Sequence, residues 1–289
     1  MTTARKYVLR AAVLALLLAA TAASGADGDA KRGQYLARAG GCMACHTEDQ
    51  TNAHPYAGGR ALKTPFGIFY GPNITPDAQA GIGRWTRDDF VRAMRHGERP
   101  DGANYFPAFP YPSFTQITDG DLNDLWVYLR TLKPSNRVSR PHDLKFPFGW
   151  RVLLTPWKWI FFTPGAFVNN AQAPASVNRG AYLAHALGHC DVCHTPRNFL
   201  GGPQRNRLLA GGKGLSEKRM PNLTPTRLQK LSDIDLKEFL ATGATPDGDE
   251  VDAMMGEVIR NTTSRLTTDD TAALIAYLRA LPSLPDEPR

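Results

Sequence analysis

Apolar side chains recur every three to four residues in the last helix predicted for each half of the chain. Leu122, Leu125 and Leu129 follow this spacing in the first half, and Leu274 and Leu278 follow it in the second. Such spacing places the apolar side chains on one face of an amphipathic helix. The period-two alternation typical of strands is nearly absent, so the pattern predicts an all-α fold.

A further helix is predicted in the middle of each half, with signals at both of its ends. Thr86 and Ser232 stand at the N-terminal boundaries, each with an aspartate three residues later that can accept hydrogen bonds from free backbone N–H groups. Gly97 and Gly243 stand at the C-terminal boundaries, where glycine readily ends a helix. The two halves are therefore expected to contain the same helices in the same order.

The chain also repeats itself in sequence, with a period of about 150 residues. The segment RGQYLARAGGCMACHT at 32–47 matches RGAYLAHALGHCDVCHT at 179–195, with one residue inserted in the second copy. GPNITPD at 71–77 likewise matches MPNLTPT at 220–226. The repeat indicates that one structural unit occurs twice.

The length of 289 residues agrees with two such units, because domains typically hold about 100 to 150 residues. We predict two tandem domains, at 27–133 and 175–289, joined by an aromatic-rich connector at 134–174. Each domain is small and built from short helices, so its folding is expected to depend on a bound cofactor.

All four cysteines fall in two copies of one pattern, CMACH at 42–46 and CDVCH at 190–194. Four cysteines in an exported protein would ordinarily form two disulfides, but neither a disulfide nor a redox-active pair needs a histidine directly after it. A zinc site would need further ligands at matching spacing. C-x-x-C-H is the attachment signature of c-type haem, with two thioethers from cysteine and one iron ligand from histidine. The first haem site comprises Cys42, Cys45 and His46, and the second haem site comprises Cys190, Cys193 and His194.

The first 26 residues have the three parts of a secretory signal. Arg5, Lys6 and Arg10 form a basic start, residues 11–23 form an apolar run, and small residues follow through Ala26. The apolar run is too short to span a bilayer, which takes about 20 apolar residues. We therefore predict that the signal is cleaved near residue 26 and that the protein is exported to the periplasm.

The charge of the chain argues against a nucleic-acid partner. The formal net charge of +7 includes the three basic residues of the predicted signal, which leaves +4 for the remainder. Two covalently attached haem c groups would add four propionates and bring this sum close to zero. No basic surface large enough for nucleic acid is therefore expected.

Three further motifs occur in both halves: RG-x-YL before C-x-x-CHT, AGG before a PNxTP loop, and a PDG loop before the last helix. With these motifs, each half resembles a class I cytochrome c domain. The chain beyond the signal resembles the multihaem cytochrome c subunits of periplasmic, membrane-associated alcohol and sugar-acid dehydrogenases and their stand-alone dihaem relatives. The resemblance implies that the carbonyls of Pro72 and Pro221 accept a hydrogen bond from the imidazoles of His46 and His194. The alternative is that both prolines only shape loop turns.

The resemblance also implies a sixth iron ligand in the second half. A cytochrome c that only carries electrons completes its iron with a methionine thioether, which raises the potential and closes the iron to other ligands. The sequence M-x-E-V-x-x-N beginning at Met255 is how the resembled family presents this ligand. Met254 is the alternative, and an unligated methionine here would fill the core.

The corresponding position of the first half holds Phe109. Seven residues beyond the glycine of the PDG turn, the chain reaches Met255 from Gly248 and Phe109 from Gly102. The resembled cytochromes carry YPAMPYPS here, with methionine at the Phe109 position. We expect the Pro-rich segment ANYFPAFPYPSF to keep a fixed loop shape and Phe109 to cover a haem iron that is five-coordinate or weakly ligated.

Other side chains of the first half stay open as ligands of its iron. His96 ends the middle helix on the distal side, and His54 follows the proximal motif closely. Tyr105 and Tyr111 flank Phe109, and a phenolate binds iron in catalases, although packing is the commoner role of such tyrosines. Candidates for binding the haem propionates, with solvated loop residues as the alternative, are Arg60, Lys63, Arg84 and Trp85.

The predicted connector contains the densest aromatic run of the chain, FPFGWRVLLTPWKWIFFTPG at 146–165. With Arg151 and Lys158 between its rings, this run could form a membrane-surface helix or a docking patch for a partner. The favoured interpretation is a connector helix whose aromatic side chains are buried between the two domains. Peripheral membrane association stays open.

These observations favour an exported dihaem cytochrome c that is not itself an enzyme. It would relay electrons from a periplasmic dehydrogenase toward the respiratory chain, through a downstream cytochrome, a quinone-linked enzyme or an oxidase. The iron bound by His194 and Met255 is expected to have the higher potential, and the iron bound by His46 the lower. Two alternatives use an open first haem, a dihaem cytochrome c peroxidase and a gas-binding sensor. The sequence shows neither an acid–base pair beside Phe109 nor an output domain.

Overall fold

The computed structural model describes residues 28–213, 219–248, 251 and 253–287. The predicted export signal lies outside the described residues. Within them the chain is mostly helical, as predicted. None of the described helices has the length and apolar character that crossing a bilayer requires.

The first half is organised around two helices that cross closely. Its helices are α1 (Ala30–Ala39), α2 (Cys42–His46), α3 (Arg87–His96), α4 (Tyr111–Phe114) and α5 (Asp119–Thr131). Helix α1 meets α5 at Gly33, where a Cβ atom would lie 2.0 Å from the backbone oxygen of Asp124. Only glycine permits this approach, which explains the glycine of the RG-x-YL motif.

A small sheet that the all-α prediction did not include lies beside these helices. Strand β1 (Ala61–Thr64) pairs antiparallel with β2 (Gly67–Tyr70), and β2 pairs antiparallel with β3 (Asp143–Leu144). Strands of four, four and two residues are too short for an alternating pattern to stand out in the sequence. Because β3 belongs to the connector, the sheet fastens the connector to the first half.

The connector continues into helix α6 (Leu154–Phe161). Leu154 is buried, whereas Trp150 is 57% exposed and Trp159 is 81% exposed. The favoured prediction of aromatic side chains buried between the domains is therefore wrong for these two tryptophans. Most residues of α6 are apolar and its polar side chains are those of Thr155 and Lys158, so its pattern does not indicate which face of the helix is buried.

The second half repeats the crossing of the first. Its helices are α7 (Ala175–Tyr182), α8 (Cys190–His194), α9 (Pro225–Leu228), α10 (Asp233–Thr242), α11 (Ala253–Asn261) and α12 (Thr268–Ala280). Strand β4 (Gly212–Lys213) pairs antiparallel with β5 (Arg219–Met220). Helix α7 meets α12 at Gly180, where a Cβ atom would lie 2.0 Å from the backbone oxygen of Ala273. The repeat seen in the sequence therefore extends to the closest helix contact in each half.

The residue inserted in the second half is absorbed by a π-helical turn. This turn, Leu183–Leu187, continues α7, and the Gly188 N–H donates to the Leu183 carbonyl oxygen at 2.6 Å. A π turn closes its hydrogen bond over one more residue than an α turn does. The added residue brings His189 against Phe114 of the first half, with ring centroids 5.6 Å apart.

The middle helices of both halves have the predicted caps. The hydroxyls of Thr86 and Ser232 accept from the backbone N–H of the aspartate three residues later, whose carboxylate accepts from the cap residue's own N–H. Gly97 (φ 62°) and Gly243 (φ 84°) end these helices in the left-handed region that favours glycine.

One hydrophobic cluster contains residues of both halves. Leu36 and Leu122 of the first half pack in the same cluster as Leu183 and Leu187 of the second. Another cluster, around Leu274, lies within the second half. The halves therefore share buried apolar surface, and the domain boundaries at residues 133 and 175 stay a prediction.

Candidate haem sites

The imidazole of His46 is oriented by one backbone carbonyl. His46 ends α2, and its Nδ1 lies 2.7 Å from the carbonyl oxygen of Pro72. A carbonyl can only accept, so Nδ1 carries the proton and Nε2 keeps its lone pair. Burial lowers the pKa of His46, although the hydrogen bond to Pro72 acts in the opposite direction. His46 is therefore neutral, the form in which imidazole binds a metal.

The second half holds His194 in the same way. His194 ends α8 with 7% of its surface exposed, and its Nδ1 lies 2.8 Å from the carbonyl oxygen of Pro221. Burial also lowers the pKa of His194, again against the effect of this hydrogen bond. The predicted hydrogen bonds to the two proline carbonyls are thus confirmed.

The asparagine after each proline fixes the loop that presents this carbonyl, a role that the sequence analysis missed. The side-chain oxygen of Asn73 accepts from the N–H and the hydroxyl of Thr75 at 2.9 and 2.7 Å. Asn222 accepts from Thr224 in the same two ways, at 2.8 and 2.7 Å. Both asparagines are buried. The repeated PNxTP motif was the signal that could have identified them.

None of the four cysteines forms a disulfide. Burial raises the pKa of Cys42 and of Cys190 to about 12, so both thiols are neutral. Cys42 packs against the cluster shared by the two halves and Cys190 against the cluster around Leu274. Each half thus offers two thiols and one neutral imidazole at the edge of an apolar core, a set of donors that fits a covalently attached haem c.

The predicted sulfur ligands of the second half lie on α11. Met254 is 45% exposed, whereas Met255 is partly buried. A ligand of a haem iron has to face the interior, so the difference in exposure favours Met255 over Met254.

Phe109 lies in a tight turn surrounded by aromatic rings. Its N–H donates to the carbonyl oxygen three residues earlier at 3.0 Å, and its own carbonyl accepts from the N–H of Tyr111 at 2.7 Å. The ring centroids of Tyr105, Phe114 and Tyr111 lie 5.3, 5.8 and 6.4 Å from that of Phe109. Phe109 packs against the same cluster as Cys42. These ring neighbours supply neither a carboxylate nor an imidazole.

The other ligands considered for the first half are placed unfavourably. His96 is exposed, and its carbonyl accepts from the Lys158 ammonium at 2.7 Å. The Nδ1 of His54 lies 3.1 Å from the carbonyl oxygen of Pro55, next to it in the chain. Burial raises the pKa of Tyr105 to about 12 and raises that of Tyr111. Burial therefore favours the neutral phenol at both positions, whereas a bound ferric iron would favour the phenolate.

The side chains considered for the propionates differ in their exposure and in their contacts. Arg60 forms an ion pair with Glu257 of α11 at 2.7 Å, which joins the first half to the second. Lys63 and Arg84 are exposed, and Trp85 packs against the first cluster. The ion pair of Arg60 across the halves could not be read from the sequence.

Comparison with known proteins identifies relatives along most of the chain. The model of the Cytochrome c family matches residues 30–133. A dihaem c-type cytochrome of Cereibacter sphaeroides is 42% identical over 265 residues, which cover 90% of this chain and 88% of the relative.

Two further relatives are subunits of larger enzymes. The cytochrome c subunit of the alcohol dehydrogenase (quinone) of Gluconobacter oxydans is 36% identical over 97% of this chain and 61% of its own length. The fructose dehydrogenase cytochrome subunit of Gluconobacter japonicus is 39% identical over 87% of this chain and 52% of its own length. The chain thus spans 61% and 52% of the lengths of these two dehydrogenase subunits.

Proposed function

We propose that this chain, which belongs to the cytochrome c family, is a dihaem electron carrier of the bacterial periplasm. The family and the relatives named as dehydrogenase cytochrome subunits support covalently bound haem c and electron transfer. The count of two haems is supported by the repeated motif and by the dihaem relative.

The residues of the two haem sites would hold these groups. When bound, haem supplies one-electron chemistry between ferrous and ferric iron. In each site the two cysteines would form the thioethers, and Nε2 of the histidine would bind the iron. The thioether of Met255 would be a further iron ligand in the second half. The proposed iron ligands of the chain are His46, His194 and Met255.

The chain's own contribution is to make the two sites unequal. The Nδ1–H of each proximal histidine donates to a proline carbonyl, at 2.7 Å in the first half and 2.8 Å in the second. This bond fixes the ring and tunes the ligand in the same way on both sides. The difference therefore comes from the distal side, where Met255 raises the potential of the second haem and Phe109 adds no ligand to the first.

The proposed electron donor is a periplasmic dehydrogenase, and the proposed acceptor is a downstream cytochrome, a quinone-linked enzyme or an oxidase. The donor is supported by the names of three relatives, which are cytochrome subunits of alcohol, fructose and gluconate dehydrogenases. The names of the same relatives favour an electron carrier over a peroxidase.

The observation that carries the proposal is the repeated pair of a neutral imidazole and a proline carbonyl. It is tested by the intact mass of protein made in cells that mature cytochromes c. The wild type should carry two haems, and changing both cysteines of either haem site to alanine should remove one of them. Met43→Ala, which changes an exposed residue inside the first motif, is the matched control and should keep both.

The two-haem protein should then accept electrons from a purified periplasmic alcohol or sugar-acid dehydrogenase, followed by stopped-flow absorbance. Fewer than two haems on the wild type contradicts the assignment of the sites. Rapid turnover of peroxide, with no reduction by such dehydrogenases, contradicts the role of electron carrier.

A further inference from the structure

The tyrosine of each RG-x-YL motif reaches across to the other half of the molecule. Tyr182 of α7 donates its hydroxyl proton to the Asp121 Oδ2 of α5 at 2.5 Å. The backbone N–H of Thr118, the residue that caps α5, donates to the Tyr182 oxygen at 3.2 Å. One hydroxyl therefore joins the second half to the N-terminal end of the last helix of the first.

The first half makes the equivalent contact with the second half. Tyr35 of α1 donates its hydroxyl proton to the Asp270 Oδ2 of α12 at 2.5 Å. The backbone N–H of Thr267, which caps α12, donates to the Tyr35 oxygen at 3.3 Å. The interface is thus reciprocal, like the contact between two identical subunits related by a twofold axis.

The arginine of each motif binds the same aspartate from within its own half. Arg32 forms an ion pair with Asp121. Arg179 binds both oxygens of Asp270, at 2.8 and 2.7 Å. Each aspartate is therefore held by an arginine of its own half and a tyrosine of the other. The glycine of the motif, as described above, lets the helix that carries these two residues lie close to the last helix.

Burial makes these bonds costly to break. Asp121 is 3% exposed and Asp270 is 8% exposed. Burial raises the pKa of both Tyr35 and Tyr182, so each phenol keeps the proton that it donates. Burial alone would raise the pKa of Asp270, but the bonds from Arg179 and Tyr35 outweigh it and leave that pKa lowered. A buried carboxylate that loses a donor cannot recover the bond from water.

Apolar contacts also join the halves beside these bonds, because one cluster contains Tyr182 itself and Leu36, the neighbour of Tyr35. Leu36 and Leu187 belong to one cluster that contains residues of both halves. His189, next to the inserted residue of the second half, packs on Phe114 of the first. Opening one end of the interface would therefore disturb packing that the other end shares.

We propose that Tyr35 and Tyr182 are positioning residues that close the two halves as one cooperative unit and so hold the two haem sites at a fixed separation. The fixed separation of the haem sites rests on the proposed function, because it concerns electron transfer between two haems. The cooperative closure concerns the chain alone and can be tested separately.

Hydrogen exchange of the complete protein tests cooperative closure at an amide that the substitution does not touch. Tyr35→Phe removes the acceptor of the Thr267 amide and leaves the Thr118 amide bonded to Tyr182. A cooperative interface predicts that exchange at Thr118 nevertheless accelerates about tenfold or more, because the lost bond involves a buried carboxylate. Tyr182→Phe should accelerate exchange at Thr267 in the same way. If each variant accelerates exchange only at the amide that lost its own acceptor, the proposal is overturned.

The matched control is Tyr277→Phe, which removes a hydroxyl bonded to His185 at 2.5 Å within the second half. This variant should leave both amides protected. The Tyr35→Phe variant is read at Thr118 and the Tyr182→Phe variant at Thr267. If one variant misfolds, the other measurement still tests the proposal.

Pulse radiolysis then tests the effect on electron transfer between the haems. In the wild type, the rate should not depend on solvent viscosity, whereas in the Tyr35→Phe, Tyr182→Phe double variant it should fall as viscosity rises, because reclosure becomes limiting. An unchanged rate that stays independent of viscosity in the double variant overturns the positioning role. Failure of the wild type to carry two haems instead contradicts the proposed function and leaves the exchange result standing.

Discussion

The two halves agree on the proximal side of their haem sites and differ on the distal side. The imidazole-to-carbonyl distances are 2.7 and 2.8 Å, and the loops that set them share the same asparagine contacts. Beyond the PDG turn, however, the second half forms α11 with Met255 in its first turn, and the first half forms a turn that contains Phe109. A duplicated protein can thus keep the part that orients the cofactor and vary the part that sets its reactivity.

Proline accounts for the difference in local structure. Pro110 follows Phe109 directly and Pro112 lies in α4, so the backbone here lacks two N–H donors that a longer helix would need. The corresponding stretch of α11 contains no proline and runs through Asn261. Phe109 and Met255 are therefore equivalent in the number of residues that separate them from the PDG turn, but they lie in different backbone conformations.

The largest expected effect is on the binding of carbon monoxide to the reduced protein. This measurement tests the difference between the two distal segments directly. We expect one carbon monoxide per chain, because the ring of Phe109 supplies no ligand, whereas the thioether of Met255 closes the second iron. Phe109→Met should abolish that binding if its sulfur reaches the iron from the turn. The measurement is a titration of the reduced protein followed by absorbance.

Phe109→Leu is the control, since it keeps an apolar side chain without sulfur and should still bind one carbon monoxide. No binding to the wild type would mean that another side chain already occupies the sixth position of the first iron.

The next prediction concerns Met255 and uses its neighbour as the matched control. Met255→Ala should raise carbon monoxide binding from one to two per chain and remove the weak near-red absorption band of methionine bound to ferric haem. Met255→His should lower the potential of one haem only, because imidazole favours ferric iron more than a thioether does. Met254→Ala should change none of these properties. The opposite result for the two alanine variants would assign the ligand to Met254.

Much of the shared architecture could be predicted from the sequence, because local chemistry determines it. Thr86 and Ser232 cap their helices through hydrogen bonds to the backbone N–H three residues later. The prolines whose carbonyls accept from His46 and His194 occur in a repeated motif. Features of this kind depend on residues close together in the chain, so a short sequence motif is enough to identify them.

The contacts between the halves could not be predicted in this way. Tyr182 and Asp121 are 61 residues apart, and nothing in either motif indicates that they meet. The exposure of Trp159 depends on which face of a largely apolar helix packs against the rest of the chain. Strand β3 pairs with β2 from a distant part of the chain, and only the tertiary structure reveals that register.

A third prediction tests the equivalence of the helix crossings. Gly33→Ala and Gly180→Ala would each place a Cβ atom 2.0 Å from a backbone oxygen, so the helices would have to separate. Each change should lower the free energy of unfolding by about 1–3 kcal/mol, measured by urea denaturation of the protein with its haems attached.

Gly120→Ala is the control for this pair. Gly120 lies inside α5 and has open space where a Cβ atom would go, so alanine should stabilise the protein by about 0.4–1 kcal/mol. A large loss at Gly33 without one at Gly180 would show that the two crossings are not equivalent.

The smallest expected effect concerns the caps of the two middle helices. Thr86→Ala and Ser232→Ala each remove a hydroxyl that accepts a backbone N–H at 3.1 Å, so each should lower the free energy of unfolding by about 1 kcal/mol. Thr86→Ser is the control, because it keeps the accepting oxygen and should preserve most of the stability. Both caps are exposed and lie away from the distal segments that differ, so the two losses should agree within the error of urea denaturation. A much larger loss from Thr86→Ala would mean that the first half, for which we propose no sulfur ligand, depends more on its helices for stability than the second half does.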